Sequence, residues 1–116
     1  VVILDGAEPI YRYVKNAPRM RVLSFAGEPE CYFLPCDVQS YTDLEGSGGN
    51  VYLVLSLDAF KEFLDRMGID CLYTDDEFLA THERAADIIR YLREEESIEV
   101  IIQQEGNALY RYHRAN

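Results

Sequence analysis

Tryptophan is absent, and methionine, proline and cysteine are scarce: two Met, four Pro and three Cys in 116 residues. The cysteines, Cys31, Cys36 and Cys71, form an odd set with no framework spacing. That argues against a disulfide-stapled secreted domain and fits a reducing compartment. Long apolar runs are lacking too. The longest, "VYLVLSL" at 51–57, falls far short of the ~20 residues that span a bilayer, so no membrane contact is expected. No charged-then-apolar leader is seen, and the expected location is the cytoplasm.

Basic residues are the last shortage, with 11 Lys and Arg against 21 Asp and Glu, for a formal charge of −10. Such a balance keeps a protein dissolved and repels polyanions at long range. Nucleic acid is therefore an unfavoured partner, and a protein with a basic surface a favoured one.

What is present begins with a core. Apolar residues make up 48% of the chain, enough to exclude a disordered reading. The length suits one domain, residues 1–116, burying roughly two-thirds of its unfolded surface. Charge is divided unevenly along it. Segments 1–22 and 100–116 hold six basic and three acidic residues, a balance of +3, whereas 23–99 holds five and eighteen, a balance of −13.

The ends also resemble each other. "VVILDGAEPIYRYVK" (1–15) aligns without a gap on "VIIQQEGNALYRYHR" (100–114). Val1, Ile3, Tyr11, Arg12 and Tyr13 recur as Val100, Ile102, Tyr110, Arg111 and Tyr112. Each copy has an apolar run, a Gly-containing break and an alternating aromatic run, which predicts a β-hairpin at each end.

Between them, "RMRVLSF" (19–25), "CYFL" (31–34) and "VYLVL" (51–55) read as strands, and 35–50 as a mobile loop. A helix is predicted after Ser56, with Phe60, Phe63, Leu64 and Met67 as its buried stripe and Gly68 as its end. "DCLY" (70–73) reads as a strand or a turn. "TDDE" (74–77) reads as a capping box between Thr74 and Glu77. The helix that follows runs to about Glu95, with a break near Ala80–Thr81 and an apolar face of Phe78, Ala85, Ile88, Ile89 and Leu92. The expected fold class is α+β: an antiparallel sheet containing similar N- and C-terminal β-hairpins, with two helices packed on one face.

Chemistry-bearing patterns are few. "EGSGGN" (45–50) is followed by no Lys-Ser/Thr and no helix, so it is no phosphate cradle. Cys31, Cys36, Cys71, His82 and His113 lack zinc spacing, and neither metal nor cofactor is expected. Cys71 with His82 is the one nucleophile–base pairing that can be drawn. The carboxylates of Asp75, Asp76 and Glu77 suit a helix start, whereas Glu94, Glu95 and Glu96 close a helix where negative charge is disfavoured.

"RVLSFAGEPECYFLPCDV" (21–38) with "LSLDAFKEFL" (55–64) resembles parts of the N-terminal domain of BRO-like phage and viral regulators. The DNA-contacting helical segment that this resemblance implies between the two pieces has no room in residues 37–50, so no function is carried over.

The remaining candidates are surfaces. As strands, the ends would present Tyr11, Tyr13 and Lys15, and Tyr110, Tyr112 and Arg114, with Arg12 and Arg111 opposite. Such tyrosines suit cross-strand packing, a homodimer or partner interface, or single-strand stacking. The reading expected first is a small acidic, non-enzymatic binding or regulatory module. It would act through protein–protein contacts at Tyr11, Arg12, Tyr13, Tyr110, Arg111, Tyr112, Glu94, Glu95 and Glu96, as an inhibitor of a basic or nucleic-acid-binding partner. A single-stranded nucleic-acid binder using the Tyr-Arg-Tyr strands is the alternative. A small-ligand protein or enzyme comes third.

Overall fold

A computed structural model describes residues 8–17, 19–27, 34–41 and 57–113. The two similar ends fold differently. Residues 109–112 are strand, but "EPIYRYVK" is a helix, α1 (Glu8–Lys15). Residues 1–7, the other half of the expected N-terminal hairpin, lie outside the described residues. The correction has a local cause. Ile10 and Val14 stand four apart and are both fully buried, which is one face of a helix. The second copy has Leu109 and His113 at those positions, so its helical face is incomplete. Pro9 is tolerated in a first helical turn, where its missing N–H has no intrahelical partner to lose. The second copy has Ala108 there.

After α1 come β1 (Arg21–Phe25) and β2 (Asp37–Ser40). Strand β2 falls within the stretch expected to be a loop. The expected strands at 31–34 and 51–55 fall outside the described residues, apart from Leu34. Helix α2 (Leu57–Met67), β3 (Cys71–Asp75), α3 (Asp76–Thr81), α4 (Glu83–Glu94), β4 (Ile98–Gln104) and β5 (Asn107–Tyr112) follow among the described residues.

The sheet runs β2-β1-β3-β5-β4 and is mixed rather than antiparallel. Strand β1 pairs parallel with β2 and β3, while β5 pairs antiparallel with β3 and β4. Among the described residues the fold class is therefore α+β with a mixed sheet of five strands. Parallel neighbours cannot be joined by the tight turns that join antiparallel ones.

Helices cover both faces, not one. Leu23, Phe25, Leu72, Ala108, Tyr110 and Tyr112 point to α2, α3 and α4, where Phe60, Phe63, Leu64, Phe78, Ala85, Ile88, Ile89 and Leu92 meet them. These helix residues include nearly all of the two predicted apolar stripes; Met67 packs at the margin. On the opposite face Val22, Cys71, Tyr73 and Leu109 meet Ile10 and Val14 of α1. Alternation along β3 and β5 thus sends successive residues into two separate cores.

Helix ends follow recognisable chemistry. Asp75, not Thr74, caps α3: its carboxylate accepts the Phe78 N–H at 3.2 Å. Thr74 is buried as part of β3. His82 separates α3 from α4, close to the predicted break. The expected cap Ser56 lies outside the described residues.

Candidate functional site

Strand β1 leads outward to β2, whereas β3 leads the other way, through α3 and α4, to β4 and β5. Ligands of open sheets bind outside the carboxyl ends of parallel strands at such a switch in direction. The structure has a cleft of about 770 Å³ there. Ala26 and Gly27 flank it after β1, Tyr73 and Asp75 close β3 beneath it, and the β4–β5 turn (Glu105, Gly106, Asn107) forms one bank. Glu77, Phe78, Thr81 and His82 form the other.

The floor is a hydrogen-bonded polar cluster. Tyr73 and Asn107 are buried, and the Tyr73 hydroxyl stands 2.7 Å from the Asn107 amide. Turned so that its nitrogen faces Tyr73, that amide donates to Tyr73 Oη (2.7 Å), Gly106 O (3.3 Å) and Asp75 Oδ1 (3.3 Å). We adopt this orientation because its oxygen would otherwise face acceptors. Burial, and secondarily the Asp75 carboxylate, pushes the Tyr73 phenol well above the usual range, so it stays protonated. Gly106, at φ 86°, makes the turn in a conformation that strains other residues, and its carbonyl accepts the Asp76 N–H at 2.9 Å.

The imidazole of His82 stacks on Phe78, with centroids 3.8 Å apart and planes 12° from parallel. Its Nδ1 lies 2.8 Å from the Phe78 carbonyl. A carbonyl only accepts, so Nδ1 carries a proton in this contact. Among the described residues the lining includes three carboxylates, those of Asp75, Glu77 and Glu105, and no Lys or Arg.

The residues singled out from sequence lie elsewhere. Tyr11, Arg12 and Tyr13 are on α1, and Tyr110, Arg111 and Tyr112 on β5. Tyr110 and Tyr112 are buried towards the helices. The Tyr112 hydroxyl donates to Asp65 Oδ1 at 2.8 Å, and the Arg93 guanidinium lies 5.8 Å from the Tyr110 ring centre. Arg111 points to the opposite face, where it donates to Tyr13 Oη at 3.1 Å. The two Tyr-Arg-Tyr segments therefore meet at the Arg111–Tyr13 bond, and Tyr13, Arg111 and Tyr112 line one shallow hollow with Met20 and Cys71.

Glu94, Glu95 and Glu96 are all exposed at the end of α4. Glu95 pairs with Lys61 of α2 at 3.1 Å. Glu96 has φ 58°, the left-handed region. Two helices of this chain end in the same bonding pattern. At α2, Gly68 N–H bonds Asp65 O and Ile69 N–H bonds Leu64 O. At α4, Glu96 N–H bonds Arg93 O and Ser97 N–H bonds Leu92 O. This is the Schellman arrangement, whose left-handed position favours glycine. Gly68 occupies that position in one helix and a glutamate in the other.

Compared with family models, curated proteins and solved structures, the chain matches none.

The nucleophile pairing also dissolves. Cys71 opens β3 while His82 lies beyond its far end. Burial first, then Asp70, pushes the Cys71 thiol up to about 11, against a lowering by Arg111. Burial and Asp37 do the same to Cys36, which also reaches about 11. Neither is a thiolate near neutrality. Among the described residues no three His, Cys, Asp or Glu side chains are grouped to hold a metal, and no helix is long and apolar enough to cross a membrane.

Sequence reasoning missed the cleft because its parts come from three separated segments. The available signal was Asp75, whose capping role marks a strand-to-helix turn, and the Glu105-Gly106-Asn107 turn.

Proposed function

We propose that the protein is a non-enzymatic binding module whose acidic corner, Glu94, Glu95 and Glu96, meets a basic surface on a partner protein. One observation carries the reading. The α4 terminus places a glutamate in the left-handed position that Gly68 fills at α2. It does so beside two more carboxylates, at the helix end where negative charge is disfavoured. A residue that breaks two local rules is explained by a task outside folding. Such a corner speeds association by attracting a basic partner and selects against acidic ones. Where the partner's basic surface serves nucleic acid, occupancy inhibits it.

We do not extend the proposal to self-association through the sheet edge. Among the described strands β4 is outermost, with Val100 half exposed, but a register shift between Val100 and Ile102 interrupts its ladder. Bulges of this kind blunt edge pairing, so the monomer is the form that carries the contact.

The test is anisotropy titration of a labelled lysine- and arginine-rich peptide at low salt. Neutralising the corner (Glu94→Gln, Glu95→Gln, Glu96→Gln) changes the net charge from −10 to −7. Asp58→Asn, Glu62→Gln and Glu83→Gln produce the same charge elsewhere on the helices. With exposed pairs contributing about 0.2–1 kcal/mol each, the corner variant should weaken binding by roughly threefold to 150-fold and the control variant far less. Equal losses would refute the assignment.

A further inference from the structure

We propose that the cleft beyond the carboxyl ends of β1 and β3 binds a small organic cation, an amine carried on a flat apolar body. Its position comes first. The sheet reverses its direction of connection between these two parallel strands, and an open crevice at that point is where such sheets take ligands. Its volume, about 770 Å³, lies within the range of small-molecule sites. The floor is held in place before any ligand arrives, because Tyr73, Asn107 and Asp75 are tied to one another and to the turn. The stacked pair Phe78 and His82 supplies a flat wall.

The chemical class follows from what the walls offer. A phosphate or carboxylate needs converging N–H donors or a cation. Of the N–H groups opening α3, that of Asp76 is bonded to Gly106 O and that of Phe78 to Asp75. Among the described residues the lining contains no Lys or Arg to supplement them. Asp75, Glu77 and Glu105 instead give the cleft a negative field, and low-dielectric walls concentrate it. The aromatic wall favours a planar or cationic group lying against it.

The probes are phenethylamine and its anionic counterpart 3-phenylpropionate, added to the whole chain and followed by amide shifts in two-dimensional NMR. The amine should give saturable shifts at Gly27, Asp75, His82, Gly106 and Asn107, and the anion should give none there. Glu77→Gln with Glu105→Gln alters exposed side chains only and should weaken the amine roughly three- to tenfold. Matching shifts from both probes would overturn the assigned charge. Shifts that fail to saturate, or that centre on Glu94–Glu96, would overturn the site. Binding untouched by the double substitution would remove the role given to the carboxylates. The corner proposal stands or falls separately, since none of its residues lines the cleft.

Discussion

Replacing Glu96 by glycine should make the protein more stable. At φ 58° a residue with a Cβ holds a left-handed conformation that costs roughly 1–2 kcal/mol. Glycine removes that cost but adds back about 0.5–1 kcal/mol through its freer unfolded chain. Losing a carboxylate from a helix C-terminus contributes about 0.3–1 kcal/mol more. The net gain is about 1 kcal/mol, and for a chain of this size that raises Tm by about 3–6 °C. Calorimetry of Glu96→Gly, Glu96→Gln and Gly68→Ala separates the terms. Glu96→Gln reports charge alone and should gain only a few tenths of a kcal/mol. Gly68→Ala imposes the same backbone strain on α2, at φ 67°, and should lose about 1 kcal/mol. If Glu96→Gly is no more stable than Glu96→Gln, the strain argument fails, and with it the reason for treating the corner as functional.

Three further outcomes are expected. Tyr112→Phe removes the hydroxyl that donates to Asp65 and should cost about 1–2 kcal/mol in urea unfolding; no loss would contradict the 2.8 Å bond. Ser24 is fully buried and, among the described residues, its hydroxyl has no hydrogen-bond partner, so Ser24→Ala should be neutral or stabilising by about 1 kcal/mol. In a Cys31→Ser background, alkylation of Cys36 and Cys71 at pH 8 should be much slower than in the unfolded chain and rise towards pH 11. The same shifts fix a sign for stability. Thiols held protonated by the fold stabilise it fully below pH 9, the ordinary thiol value, and that contribution disappears as pH rises through about 11. Rapid alkylation at pH 8 would show the thiols to be more open than this.

Helices α2 and α4 were legible because their apolar residues recur at helical spacing and their ends are marked by glycine or by a break. The C-terminal hairpin was legible for the same kind of reason, with Gly106 at its turn. Segment 8–15 was not. In "IYRYVK" the apolar positions fit period two and helical spacing equally, and only packing of Ile10 and Val14 against Val22, Cys71 and Leu109 decides between them. Strand β2, four residues with Asp37 exposed and Ser40 buried, carries too little pattern to be read locally; it exists because β1 offers a parallel edge. Shifting the cap from Thr74 to Asp75 moved one residue between strand and helix, and with it the floor of the cleft. The cleft itself depends on strand order, which pairs residues 71–75 with 107–111 and brings together side chains that no spacing along the chain relates.

The corner proposal meets its most direct test in a two-dimensional NMR titration of the protein with a lysine- and arginine-rich peptide at low salt. Shifts should concentrate at Leu92–Ser97 and Lys61, saturating together and fading as salt is added. Shifts spread evenly over Asp58, Glu62, Glu83 and Asp87 would show attraction to overall charge alone and contradict it.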